Sequence, residues 1–429
     1  PFEQLELKYN RPDIIVDRMG YADKKLVRSY KAAYDKRLKR LGFTEADLGN
    51  TYDLPEVTLN FDQIPLETDQ KMLTLDIKAI DKNYTLKKLQ IYANDVPVFG
   101  SKGVDVSQIN AQSVTKQLSF ELGKGLNFIK VTATNSKGQE SVAESFEIQH
   151  TAAFDKPDLY LVSIGISEYQ QSDYNLAFAA KDATDMAATL GESSAYEKVH
   201  TKLLTNSEAT DANIMNVGAF IAQAKVDDVV AIFIAGHGVL DKNYTYYFAT
   251  NNINFTNPEE GGLSYEQIET LIDGIACRNK ILLMDTCHSG ELDEGDVETV
   301  AATTKKSGSV SFRSAGNVVQ LKQNSFGLQN TLELSKSLFG DMKKGTGATV
   351  ISAAGGTEFA AEGINSENGL FTSSFIAGIT TRRADGNRNR AYSVSEMRKY
   401  VSEQVIKKSK GNQVPTSREE NIQNDFRIY

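Results

Sequence analysis

The spacing of apolar residues changes twice along the chain. Residues 1 to about 50 carry a helical pattern. Pro12 and Asp13 suit a helix start. Leu26, Tyr30, Tyr34, Leu38 and Leu41 then recur at helical intervals among many Lys and Arg. From about 55 to 150 the period becomes two. Leu73, Leu75, Ile77 and Ala79 alternate with polar residues, as do Leu118, Phe120 and Leu122, then Ile129, Val131 and Ala133, then Phe146 and Ile148. Asn94-Asp95 and Asn135-Ser136-Lys137-Gly138 are turn signals between them. Beyond about 157 the strands become unbroken apolar runs: Leu159 to Ile166, Val229 to Ile234, Ile281 to Met284 and Ala348 to Ala353. Helical patterns lie between them, at Ala177 to Leu190 and Asp211 to Ala224. Ser264-Tyr265-Glu266-Gln267 and Ser393-Val394-Ser395-Glu396 read as capping boxes.

These patterns divide the chain into residues 1–52, a helical segment that packs one face as a docking or linker element; 53–152, an antiparallel β-sandwich of immunoglobulin-like kind; and 153–429, an α/β fold on a mostly parallel sheet flanked by helices. The sandwich lacks the cysteine pair of antibody domains and holds no evident chemistry, so it reads as a spacer or binding module. The stretch 291–346 is rich in Ser, Thr, Gly, Asn and Lys. Apart from a helical pattern at Leu332 to Met342 it reads as a long mobile loop, a length that inside a compact domain goes with function or disorder.

Composition adds exclusions. With 56 Asp and Glu against 47 Lys and Arg, the net charge is -9, which argues against nucleic acid and mildly favours a cationic partner or substrate. No apolar run is long enough to span a bilayer. Two cysteines, Cys277 and Cys287, allow at most one disulfide, which suits a reducing compartment and a cytoplasmic location. The chain starts at Pro1 instead of Met, so it reads as a fragment or processed product whose signal peptide, if any, is gone.

Chemistry gathers at two strand ends. Val229 to Ile234 leads into Ala235-Gly236-His237-Gly238, and Ile281 to Met284 leads into Asp285-Thr286-Cys287-His288-Ser289-Gly290. In an open α/β sheet, sites form beyond the carboxyl ends of the strands. If the two strands are neighbours, His237 and Cys287 meet there. An imidazole beside a thiol can take its proton or stabilise the thiolate. The backbone N–H groups of Gly238 and Cys287 are candidate oxyanion donors. Singly, each residue has a plainer reading: Cys287 as a small core residue, His237 as part of a glycine turn. Together they make a specific pattern.

This region resembles the caspase-like cysteine peptidases, in particular bacterial members and metacaspases, over roughly residues 157 to 429. Val162-Ser163-Ile164-Gly165-Ile166-Ser167 resembles their first strand, and the Gly-His-Gly and Asp-Thr-Cys-His-Ser-Gly segments their dyad motifs, fifty residues apart. Ile351-Ser352-Ala353-Ala354 and Asn368-Gly369-Leu370-Phe371-Thr372 resemble the later strand and helix. The Arg11-Pro12-Asp13 helix followed by a sandwich is similar to the segment joining WD-repeat propellers to such peptidases. The resemblance implies an endopeptidase acting on protein or peptide substrates, with His237 as base and Cys287 as nucleophile. Caspases cleave after Asp; metacaspases cleave after Arg or Lys and use acids in the pocket. Here Asp285 precedes the nucleophile by two residues, and Asp182 lies in Lys181-Asp182-Ala183, which is similar to the Asn-Asp-Ala motif of metacaspases. Paired carboxylates suit a guanidinium or ammonium group, so the resemblance implies cleavage after Arg or Lys with Asp182, Asp285 and Ser352 binding substrate. Plainer readings are a helix-face residue for Asp182 and a turn-capping acid for Asp285. Ala235 and Ala179 replace the Ser and Cys that metacaspases often have.

Lys305, Lys306, Arg313, Lys322, Lys343 and Lys344 in the long loop are candidate self-processing sites, or simply solvating charges. No cofactor is expected. Calcium, which some metacaspases require, would fall on the acidic run Glu291, Asp293, Glu294, Asp296 and Glu298, but the run lacks EF-hand spacing and glycine, and a solvated acidic segment is the simpler reading. No zinc spacing occurs, and His150, His200 and His288 receive no role. The alternatives are an Asp-specific peptidase and a non-catalytic interaction scaffold. An activating protein could dock on residues 1–150 in either case.

Overall fold

The computed structural model describes residues 2–20, 24–49, 52–153, 155–241, 245–289, 311–312, 345–353, 361–362, 368–411, 413–419 and 425–429. The loop lysines and arginine, the acidic run and the Leu332 to Met342 pattern named above lie outside these residues.

Three helices open the chain: α1 (Phe2–Tyr9), α2 (Pro12–Met19) and α3 (Lys24–Leu41). Pro12 sits in the first turn of α2, as its fixed φ favours. Tyr30, Ala33, Tyr34 and Leu38 are the buried face of α3. Nine strands follow: β1 (Glu56–Leu59), β2 (Glu67–Thr68), β3 (Met72–Ile80), β4 (Leu86–Ala93), β5 (Val96–Pro97), β6 (Val104–Asp105), β7 (Ser113–Glu121), β8 (Gly125–Asn135) and β9 (Glu144–His150). They form two sheets, β1-β3-β7 and β2-β9-β8-β4-β5, with β6 against β4. The alternating residues read from the sequence, Leu75, Ile77, Ile129 and Val131 among them, fill the shared core. Asn94 and Asp95, both at positive φ, turn β4 into β5.

The rest of the described chain surrounds a third and larger sheet. Its strands are β10 (Leu159–Gly165), β11 (Val199–Thr205), β12 (Val229–Leu240), β13 (Tyr246–Phe248), β14 (Leu263–Ser264), β15 (Asn279–Ser289), β17 (Thr349–Ser352) and β19 (Thr416–Glu419); β16 (Ser311–Phe312) and β18 (Ala361–Glu362) pair apart from it. The order β11-β10-β12-β15-β17 is parallel throughout, and β19 adds an antiparallel edge. Helices are α4 (Ala179–Gly191), α5 (Asp211–Met215), α6 (Gly218–Ile221), α7 (Tyr265–Ile272), α8 (Leu370–Thr380) and α9 (Val394–Ser409). One face of the sheet, with Leu161, Phe233 and Leu283, packs on α4, α8 and α9. The other, with Val162, Ile232 and Leu282, packs on α5, α6 and α7. Both faces are covered, so the strands are continuously apolar. Both capping boxes form at the N-termini of α7 and α9.

Three features differ from the sequence reading. The helix expected over Asp211 to Ala224 is two short pieces that meet at Val217-Gly218, where glycine is a poor helix former. The edge strand β11 gave no apolar run because much of it faces solvent. And β12 and β15 do not stop at Ile234 and Met284 but continue through the reactive segments to Leu240 and Ser289.

The two-sheet unit is keyed into the foot of β15. Arg278, just before that strand, is buried; its guanidinium donates to Glu121 O and to Asn127 Oδ1 (3.4 Å), at the end of β7 and in β8. Lys124 N–H donates to Asp227 Oδ1 (2.8 Å), and Ser101 donates through N–H and hydroxyl to Asp273 (2.8 and 2.7 Å). Next to Arg278, buried Lys280 donates to Ile272 O at the end of α7 (3.2 Å) and to Thr346 O, where the chain re-enters toward β17. Buried Cys277 is a free thiol whose pKa burial pushes up to about 12, so it is unreactive. It lies about 30 Å from Cys287 along an extended strand, which rules out a bridge within the chain.

Two predictions follow from this foot. Arg278→Ala removes the guanidinium donor to the Glu121 carbonyl, leaves Asn127 Oδ1 with the Gly123 N–H alone (2.9 Å), and opens a cavity; a loss of about 3 kcal/mol in urea unfolding is expected. Burial lowers the Lys280 ammonium from 10.5 to about 8. Between these values the unfolded chain keeps a proton that the folded chain has released, so this group makes stability rise with pH across that window. Lys280→Met removes the contribution: relative to the variant, the wild type should gain up to about 1.4 kcal/mol per pH unit there, read from urea titrations at either end.

Candidate active site

The pairing of β12 with β15 runs in unbroken register from Val229↔Asn279 to Val239↔Ser289, and within it His237 is the direct partner of Cys287. Neighbouring strands lie about 4.8 Å apart, so the two Cα atoms are about that close. The apolar runs alone place the two residues past the strand ends; they meet within the paired strands, at the carboxyl edge, beyond the last residues of β10 and β17.

His237 is wholly buried. Its Nε2 lies 2.9 Å from Tyr174 O. A carbonyl only accepts, so Nε2 carries the hydrogen, and the basic lone pair of the neutral ring is on Nδ1. The ring sits among Tyr169 (5.4 Å between centroids) and Phe255 (5.8 Å), and Phe255 stacks on Tyr174 at 3.7 Å. None of these aromatic residues stood out in the sequence. Their one signal was two tyrosines in the short loop after the first strand, and a contact with a residue more than sixty positions away leaves no local pattern.

Asp182 and Asp285 are both fully buried, and the N-terminus of α8 brings them together. Gly369 N–H donates to Asp182 Oδ1 (2.9 Å). Thr372 donates to Asp285 Oδ2 through its hydroxyl (2.7 Å) and its N–H (3.3 Å). The carboxylates thus face the positive end of the α8 dipole and occupy its otherwise unpaired N–H groups. Asp182 is therefore a buried contact to a neighbouring helix and not a solvated helix-face residue. One turn on, Asp185 accepts from Lys181 (2.5 Å) and Asn368 (2.8 Å); burial pushes its pKa up, but these two bonds hold it below the ordinary value. The approach of α4 needs Gly165: a Cβ there would sit 2.2 Å from Ala179 O and 2.6 Å from the Ala183 methyl. Ala235 pairs with Asp285 in the ladder, and Thr286 bonds Tyr246 through their hydroxyls (3.0 Å).

Ser352 ends β17, paired with Met284, on the far side of β15 from His237. Gly238 is buried between β15 and β13, opposite His288 and Phe248. Two further histidines have structural partners: His200 pairs with Asp158 (2.9 Å), and His150 bonds Gly123 O (3.2 Å). Among the described residues no group of three His, Cys, Asp or Glu could hold a metal, and no helix is long and apolar enough to cross a membrane.

The capping role of Asp285 is testable. Thr372→Val keeps the shape and removes the hydroxyl donor, and should cost about 1–2 kcal/mol in urea unfolding.

Residues 160–427 match the family model described as the caspase domain. No curated protein sequence matches the chain. Among solved structures, a protein from Geobacter sulfurreducens is similar at 16% identity over 61% of this chain and 93% of its own, with a TM-score of 0.39. Caspase-1 from Spodoptera frugiperda is similar at 9% identity over 62% and 89%, with a TM-score of 0.38. The fibronectin(III)-like modules of CbhA from Clostridium thermocellum are similar at 16% identity over 24% and 50%, with a TM-score of 0.19. The family model spans well over half of the chain, over the helix-flanked α/β sheet described above, and the protein accordingly belongs to the caspase-domain family of cysteine peptidases.

Proposed function

We propose that this chain is an endopeptidase that hydrolyses peptide bonds after Arg or Lys, with Cys287 as nucleophile and His237 as general base. The observation that carries the reading is the register of His237 opposite Cys287, with the imidazole Nε2–H committed to Tyr174 O. Nδ1 then takes the thiol proton, and the thiolate adds to the scissile carbonyl. The N–H groups of Gly238 and Cys287, the donors the sequence suggests for the oxyanion, lie in the β12–β15 ladder and reach it only once that end of the ladder opens. Collapse expels the amine, protonated by the imidazolium, and leaves a thioester. His237 next takes a proton from water, the hydroxide adds to the thioester, and the thiol leaves with the proton returned.

Basic specificity rests on Asp182 and Asp285, two buried acids drawn to one helix end beside the nucleophile strand, with Ser352 on the adjoining strand. Such a pocket attracts a guanidinium or ammonium group and repels an aspartate side chain. The same proposal takes residues 53–152 as immunoglobulin-like and residues 1–150 as a platform for an activating partner. It also includes self-processing in the 291–346 loop and a cytoplasmic site of action.

The test is turnover of fluorogenic peptides that differ only in the residue before the bond (Arg, Lys, Asp or Leu). Cleavage after Arg or Lys, reduced to background in Cys287→Ala, is expected. Cleavage after Asp would overturn the pocket and keep the dyad. Activity surviving in Cys287→Ala would overturn the nucleophile, and silence on every peptide would favour the scaffold reading.

A further inference from the structure

The backbone around His237 has an unusual position in the sheet. On one side β12 is paired to β15 along its whole length. On the other side its neighbour β10 ends at Gly165, opposite Ala235, and the next neighbour, β13, begins its pairing at Gly238. His237 falls in the gap between the two. Its carbonyl on this side accepts from Ala249 N–H (2.9 Å), but its N–H has no strand to donate to, and a buried N–H without an acceptor is costly. The Tyr169 hydroxyl fills the place of the missing strand, accepting from His237 N–H at 3.0 Å, while the Tyr169 ring lies against the imidazole.

Gly236 makes this contact attainable. It sits at φ +157°, and a Cβ there would lie 3.0 Å from the Tyr169 hydroxyl and 3.1 Å from the Phe248 ring. The loop that carries Tyr169 is held at several points. Leu176 N–H closes it on Ser167 O (2.8 Å), and Tyr169 N–H donates to Asn175 Oδ1 (2.8 Å). Asn206 Oδ1 accepts from Ser167 and Glu168 N–H (2.9 and 3.1 Å), and the Asn251 amide donates to Glu168 O (2.6 Å). Tyr174, whose carbonyl receives Nε2–H, belongs to the same loop. One braced segment therefore grips His237 twice, at its backbone through a hydroxyl and at its ring through a carbonyl.

We propose that Tyr169 is a positioning residue for the catalytic base: its hydroxyl fixes the His237 backbone so that the imidazole, held at Nε2 by Tyr174, presents Nδ1 to the nucleophile strand. The inference rests on the reading of His237 as the base. Without the hydroxyl, the buried N–H must find another acceptor by moving the strand, and the imidazole moves with it.

The experiment uses the full chain and two readouts: kcat and KM on the preferred peptide, and the rate of iodoacetamide alkylation at Cys287 at neutral pH, followed on the Cys287 peptide by mass spectrometry. His237→Ala tests the dyad, Tyr169→Phe tests the inference, and Tyr160→Phe serves as a control, being a largely buried tyrosine that stacks on His200. Alkylation should fall strongly in His237→Ala. In Tyr169→Phe, kcat should fall about tenfold or more with KM within about threefold, and alkylation should slow in parallel, because a displaced base affects the thiol before substrate arrives. Tyr160→Phe should match the wild type. If Tyr169→Phe alkylates and turns over like the wild type while His237→Ala does not, the inference fails and the dyad stands. A loss of turnover in Tyr169→Phe with alkylation unchanged would mark a general loosening and overturn it as well. If alkylation ignores His237→Ala, the dyad reading fails first and takes the inference with it.

Discussion

The constraint on which the rest depends is the parallel ladder between β12 and β15, eleven successive partners from Val229↔Asn279 to Val239↔Ser289. Its register is not adjustable. Val229, Ala231, Phe233 and Ile281, Leu283 face α4, α8 and α9, while Val230, Ile232 and Leu282, Met284 face α5, α6 and α7. A slip of one residue would exchange the two sets and uncouple both cores. The packing of the first half of each strand into a separate core on either face thus fixes the alignment of His237 with Cys287 in the second half. Burial of ordinary aliphatic side chains, at roughly 1.5–3 kcal/mol each, does the aligning, and the reactive residues take their position from it.

Electrostatics sets the other side of the site. Two buried acids would repel each other and resist desolvation if nothing answered them. The N-terminus of α8 answers both, through Gly369 and Thr372, and Gly165 lets α4 bring Asp182 close enough to share in it. Helix, glycine and acids therefore form one unit: the acids complete the helix end, and the helix end lets charge persist inside the protein. A structural duty and a substrate-binding duty are compatible in such a pair, because what orders the carboxylates for one also orders them for the other.

The foot of β15 links this machinery to the two-sheet unit. Arg278 reaches into that unit, and Lys280, two residues later, gathers the end of α7 and the approach to β17. The strand that carries Cys287 is thus held at one end by buried cationic side chains donating to carbonyls, and along its length by the ladder. The two-sheet unit accordingly packs as part of the support of the nucleophile strand.

Much of this was legible in the sequence. Period-two alternation located β3, β7, β8 and β9, continuous apolar runs located β10, β12, β15 and β17, and the boxes at Ser264 and Ser393 marked two helix starts, because each is a local pattern imposed by backbone geometry and one-sided or two-sided burial. The His237 and Cys287 segments were legible too, since a glycine-flanked histidine and an Asp-Thr-Cys run after apolar strands are local strings. Their being partners was not, because pairing order among strands is set by packing over long separations. Tertiary structure alone decided that the strands run on past Ile234 and Met284, that Asp182 and Asp285 meet at one helix end, that Arg278 enters the other sheet unit, and that Tyr169 occupies the gap beside His237. The last three satisfy a buried polar or charged group with a partner between about 70 and about 190 residues away in sequence, and such pairings follow from where the folded chain leaves an unmet donor or acceptor, which no local pattern records.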